Sequence, residues 1–146
     1  MIEKIFYKNE LLGLIVRHKY DEAGVSFFTD DDFSQQLAFM RHPTGKVIDA
    51  HVHNLMPRTV HLTQEVLFIR KGKLRVDFYN NEKKYIESRV LFAGDVILLA
   101  NGGHGFEVLE EIEMIEVKQG PYAGDQDKIR FESIESDQLK VRGSNQ

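Results

Sequence analysis

Apolar and polar residues alternate in short runs along this chain, and turn-forming residues separate the runs about every 8–12 residues. Such spacing predicts antiparallel strands closing into a sandwich or barrel. The expected strands are residues 11–16, 25–29, 36–40, 46–53, 65–70, 73–79, 85–91, 95–99, 105–109 and 112–117. The clearest is 73–79, where Leu74, Val76 and Phe78 alternate with Arg75, Asp77 and Tyr79, so that one face is buried. In 65–70, Val66 and Phe68 oppose Leu67 and Ile69, which predicts a central strand apolar on both faces. Lys71-Gly72 predicts a tight turn between these two strands. Asn80-Asn81-Glu82-Lys83 predicts the next turn, since asparagine tolerates positive φ.

No long stretch carries a 3.6-residue period, so no extended helix is expected. Residues 30–36 suit one helical turn, with aspartates ahead of Phe33 as caps. Gly120-Pro121-Tyr122-Ala123-Gly124 reads as a turn. The polar tail beyond it reads as frayed, with at most a short element near 129–131 or 134–139. At 146 residues the chain is expected to be a single domain. Its parts are N-terminal strands over 1–36, a barrel core over 37–118 and a polar C-terminal tail over 119–146.

Composition narrows the chemistry. With no cysteine, thiol catalysis, disulfides and thiolate metal clusters are excluded, and a reducing compartment is expected. A net charge of −4 offers no basic stripe for nucleic acid. The longest apolar run, 96–100, is too short to span a membrane, and the first residues mix charges with apolar side chains unlike a signal peptide. A cytoplasmic protein with no membrane partner is expected. Residues 11–29 are more apolar than a barrel needs, which predicts a strand pair covering a sheet edge or reaching a second subunit, and so a homodimer.

Histidines carry the candidate chemistry. His51, His53 and His61 lie close together, Glu65 follows, and His104 sits in the glycine-rich run Asn101-Gly102-Gly103-His104-Gly105. Residues two apart on a strand share a face, so His51 and His53 can aim two imidazoles at one point. Imidazoles with one carboxylate suit a divalent transition metal and leave positions open for a substrate oxygen. Arg58, between the histidines, could grip an anionic substrate. Plainer readings stand beside these: strand-end histidines, a solvated His61, Glu65 as a strand-edge charge, His104 as a turn residue. Asp30-Asp31-Asp32 reads as a solvated turn, and Glu116 with Lys118 as a solvent-facing pair.

Gly45 through His51-Val52-His53 to Glu65-Val66-Leu67-Phe68-Ile69-Arg70-Lys71-Gly72 resembles the first cupin motif. Gly94-Asp95 through Ala100 and Gly102 to His104 resembles the second. The resemblance covers about half the chain and implies an all-β, antiparallel double-stranded β-helix, the cupin or jelly-roll barrel. It implies that His51, His53, Glu65 and His104 bind a metal such as Zn, Mn, Fe, Ni or Co. More residues separate His53 from Glu65 than is usual in the family, whereas His61 lies at the usual distance. In that second register Thr59 takes the place of a ligand. The second motif carries Ala100 where proline is usual and is one residue short before His104. Both registers stay open. The implied activity is that of a metal-dependent isomerase or epimerase on a small polar molecule, a sugar or sugar nucleotide. Glu65 would move a proton, and Arg58 and His61 would bind substrate. The alternatives are a small-ligand binding or sensing module, metal-free in the second register, and a vestigial pocket in an assembly protein.

Overall fold

The computed structural model describes residues 1–143, in two units. One comprises Met1–Tyr20 with the residues from Leu62 on, the other Asp21–His61. The described residues are all-β, without an α-helix, and no helix is long and apolar enough to cross a membrane.

The first unit is one antiparallel sheet. Strands β1 (Ile2–Tyr7) and β2 (Glu10–Val16) form a hairpin, turned at Lys8 with φ 54°. β2 pairs on its other edge with β7 (Val96–Leu99), and β7 pairs with the first residues of β5 (Glu65–Tyr79). β6 (Tyr85–Phe92) pairs with the far half of β5, while β8 (Gly103–Lys118) follows the opposite edge of β5 throughout. Residues 2–7 form a strand the pattern did not single out. The turn at 80–83 is as expected, but the positive φ falls on Lys83, while the Asn80 side chain accepts from the amides of Glu82 and Lys84.

The expected turn at Lys71-Gly72 is instead a bulged bend inside one continuous strand. Ile69 faces Met114 and Lys71 faces Glu113, which leaves Arg70 extra on β5, and β8 then carries two extra residues of its own before Leu74 meets Val108. Across this irregular bend the inward-facing parity of β5 switches. Leu67 and Ile69 are buried before it, and Leu74, Val76 and Phe78 after it. Gly72 sits at φ 86°, where a Cβ would overlap the carbonyl oxygen of Glu111. The expected strands 105–109 and 112–117 likewise merge into β8. The polar Glu110-Glu111 between them lies within β8 at its bulge, Glu110 facing Lys73, and the two are ion-paired across to Lys73 at 2.6 Å and Lys71 at 2.8 Å.

The sheet curls around a core of Ile5, Leu12, Ile15, Leu67, Ile69, Leu74, Val76, Phe78, Leu91, Ile97 and Leu99. Burying each such side chain contributes roughly 1.5–3 kcal/mol. The curl makes an antiparallel half-barrel. Asp95, in the turn between β6 and β7, is fully buried. It accepts the amides of His18 at 2.9 Å and Phe92 at 3.0 Å, and Arg17 Nη1 at 2.7 Å. Gly94-Asp95 therefore fastens this turn to the end of β2.

The tail after β8, expected to be frayed, is held. Its short 3-10 turns are Gly124–Asp127 and Ser136–Gln138. The Ser88 amide donates to the Lys140 carbonyl and the Arg142 amide to the Ser88 carbonyl, both at 2.9 Å, so that Ser88 and Val141 form a parallel bridge on β6. The last three tail residues lie outside the described residues.

The second unit holds a two-stranded antiparallel sheet of β3 (Gly24–Phe27) and β4 (Ala38–Arg41). Residues 30–36 form a turn rather than a helical one, with the Phe33 amide on the Asp30 carbonyl and Gln36 Nε2 donating to the carbonyls of both residues. Residues 46–53 form no strand. Within this unit no described strand pairs beyond β3 and β4, and an extended segment without a partner gains nothing over solvated coil.

Candidate functional site at the seam of the curled sheet

The β5–β8 ribbon places one chemical group at each of its ends. Glu65 faces Lys118 across the ladder at one end, and Phe78 faces His104 at the other. A straight strand of this length would hold those ends more than about 40 Å apart. The bend at Gly72 and the curl of the sheet bring them together, and Glu65 Oε2 lies 3.2 Å from His104 Nε2. Both groups are recessed, 13% and 28% exposed, which strengthens their attraction relative to an open surface pair.

Lys118 completes the group, its Nζ 3.9 Å from the other Glu65 oxygen and 4.0 Å from Glu116. The hydrogen bond from His104 holds the Glu65 carboxyl below the usual glutamate range. Burial opposes that, and the charges of His104, Lys118 and Lys128 add to it. Glu65 is thus an anion at neutral pH, fit to ligate a cation or accept a proton and unfit to donate one. The tail passes the same place. Thr63 Oγ1 donates to Asp127 Oδ1 at 2.5 Å, and the Phe131 ring stands edge-on to Tyr79 with centroids 5.0 Å apart. Phe131 also lies against the backbone of Gly103, next to His104. The Phe106 ring flanks His104 at 5.2 Å between centroids.

Of the residues singled out by sequence, Glu65 and His104 meet in the first unit. His51 and His53 meet in the second, their rings T-shaped at 5.2 Å, with Nδ1 of His51 2.9 Å from the Asp49 carbonyl oxygen. They do so without the strand on which the same-face argument rested. Arg58 and His61 are exposed in irregular chain of that unit. Glu65 and His104 supply one carboxylate oxygen and one imidazole nitrogen, donors that suit a divalent transition metal. They are two donors where catalytic zinc sites use three protein ligands, and among the described residues no three His, Cys, Asp or Glu side chains gather as a metal site.

Sequence reading missed Lys118, which it placed facing solvent, and the tail residues Asp127, Lys128 and Phe131. The facing of Glu65 and Lys118 depends on the pairing of two strands remote in sequence, which the alternation within either strand does not specify. No protein-family model, curated protein or solved structure matches this chain.

Proposed function

We propose that the chain is a cupin-type protein, a double-stranded β-helix whose Glu65–His104 end binds a divalent transition metal and a small polar molecule of the sugar or sugar-nucleotide class. The reaction is an isomerisation or epimerisation. One observation carries the reading: a carboxylate and an imidazole from opposite ends of one curled ribbon meet at 3.2 Å, and they are the two residues of this unit that the cupin resemblance implies as metal ligands. The half-barrel curl supports the architecture. Glu65 and His104 would hold the metal, which when bound would polarise a carbonyl or hydroxyl oxygen of the ligand. Glu65, kept ionised by His104, suits ligation, and it would remove a proton beside that oxygen only with the His104 hydrogen bond broken, since that bond lowers its basicity.

A second reading, a metal-free binding module, draws on Lys118. With Lys118 facing one Glu65 oxygen and His104 the other, both oxygens already face cationic or donor groups of the chain. Elemental analysis of untagged protein separates the two. About one transition metal per chain, lost in Glu65→Gln and His104→Ala, is the expected result. His51→Ala and His53→Ala report whether those imidazoles serve the same centre. Protein free of metal that still binds a sugar nucleotide, with UDP-glucose as probe, moves the assignment to the second reading. Neither metal nor sugar nucleotide discards both.

A further inference from the structure

We propose that residues 124–143 form a latch, a strap that laces the two ends of the β5–β8 ribbon together and releases them without unfolding the sheet. At its start Asp127 is bonded to Thr63, two residues ahead of Glu65. Next, Phe131 packs on Tyr79 and Gly103, beside His104. The strap therefore crosses the seam where the ends of the ribbon meet. Beyond it the Ile134 amide donates to the Tyr79 hydroxyl at 2.9 Å and the Lys140 amide to the Tyr85 hydroxyl at 2.8 Å. The backbone bonds to Ser88 and an ion pair of Arg142 with Glu87 at 3.3 Å finish the fastening.

The fastening is polar and shallow. Among the strap's described residues no side chain is buried, and only Phe131, Ile134 and Leu139 are half-buried apolar ones. The sheet beneath is different in kind, with Leu74, Val76 and Phe78 essentially without exposure. Segments with few buried apolar contacts open locally at a fraction of the cost of global unfolding. Release exposes Phe131's side of the seam and with it His104. The latch governs ligand access only on the reading given above, in which the Glu65–His104 end takes the ligand, but its opening is measured without any ligand.

The test is hydrogen exchange with mass spectrometry on the full chain, together with carbethoxylation of histidines followed on the His104 peptide. The variant Thr63→Val/Tyr79→Phe/Tyr85→Phe removes three hydroxyls of the fastening and keeps the rings. Expected in the unsubstituted chain is exchange of the 132–143 amides at least about tenfold faster than that of the β5 amides over 74–78. In the variant, strap exchange and the rate of His104 modification should both rise about tenfold, with β5 unchanged. Should the triple variant loosen β5 as well, Phe131→Ala gives the same two readings with both tyrosines in place. Strap amides exchanging in step with β5 would overturn the latch, and so would a strap released with no change in His104 modification. Either result leaves the metal and sugar-nucleotide assays untouched, so the latch and the proposed function fail separately.

Discussion

Gly13 and Phe78 leave each other no room: a Cβ on Gly13 would come within 2.6 Å of Cε1 of the Phe78 ring. β2 and β5 are not ladder neighbours, so this approach is a packing contact across the concave face rather than a pairing. Gly13→Ala should therefore destabilise the chain by about 1–3 kcal/mol, the range for overfilling a packed core. Phe78→Ala, which empties the same place, should cost about 3–5 kcal/mol. Urea denaturation of the two single variants and the double variant checks both, and the double should cost less than the sum of the singles, because removing the ring makes space for the methyl.

The bend of β5 sets a second expectation. Gly72→Ala puts a side chain at a left-handed φ and against the backbone of Glu111, which cannot move aside as a side-chain tip could. A loss of more than about 2 kcal/mol is expected, since strain and overlap act together. The separation of Glu65 from His104 should widen with it, read as faster carbethoxylation of His104 in the variant that remains folded.

The same bend shows how far the pattern along the chain could reach. The alternation of Leu74, Val76 and Phe78 was legible, and those residues are buried as it requires. The apolar mix of Val66 to Ile69 was legible as a strand paired on both edges, but its inner face is Leu67 and Ile69, and Phe68 is 43% exposed. What the alternation alone did not supply were the extra residue at Arg70 and the two on the β8 side of the bend, which show only in the pairing of strands remote in sequence. Glu110-Glu111 looked like a break for the same reason, its partners Lys73 and Lys71 being remote in sequence. Of the candidate site, Glu65 and His104 were found from spacing and resemblance. Lys118 and the strap belong to it through register and chain path, which spacing does not carry.

Asp95 offers a test of buried charge. It is fully buried and bound by Arg17, whose Nε also donates to Glu3 at 2.8 Å. Asp95→Ala leaves Arg17 short of a partner in the interior and opens two amide bonds, so a loss of about 3–5 kcal/mol is expected. Asp95→Asn, which keeps an acceptor for His18 or Phe92, should lose less. Thermal unfolding of both variants decides it. Equal stability of Asp95→Ala and the parent would show that solvent reaches the pair.

Tyr79 gives a pH dependence. Burial raises its hydroxyl above the ordinary tyrosine value, while the hydrogen bond from the Ile134 amide pulls the other way. Below about pH 10 the folded and unfolded chains both keep this proton, and the group leaves stability unchanged. Above it the unfolded chain ionises first, so stability falls with rising pH until the folded tyrosine also titrates. Urea midpoints measured from about pH 9 to 11 should drop less steeply in Tyr79→Phe than in the parent.

The order of strands in the sheet also has a temporal side. β1 and β2 emerge first during synthesis and can close their hairpin at once, since only Lys8 and Asn9 lie between them. The outer edge of β2 must then wait for Val96–Leu99, and β5 must wait for β8, before either meets its long-range neighbours. Contacts so distant along the chain pay their loop-closure entropy before they return any packing, which slows folding and leaves an apolar hairpin edge unpaired while the ribosome works. Chaperone dependence of the nascent chain should accordingly be greatest before β7 emerges and fall sharply once β8 has cleared the exit tunnel.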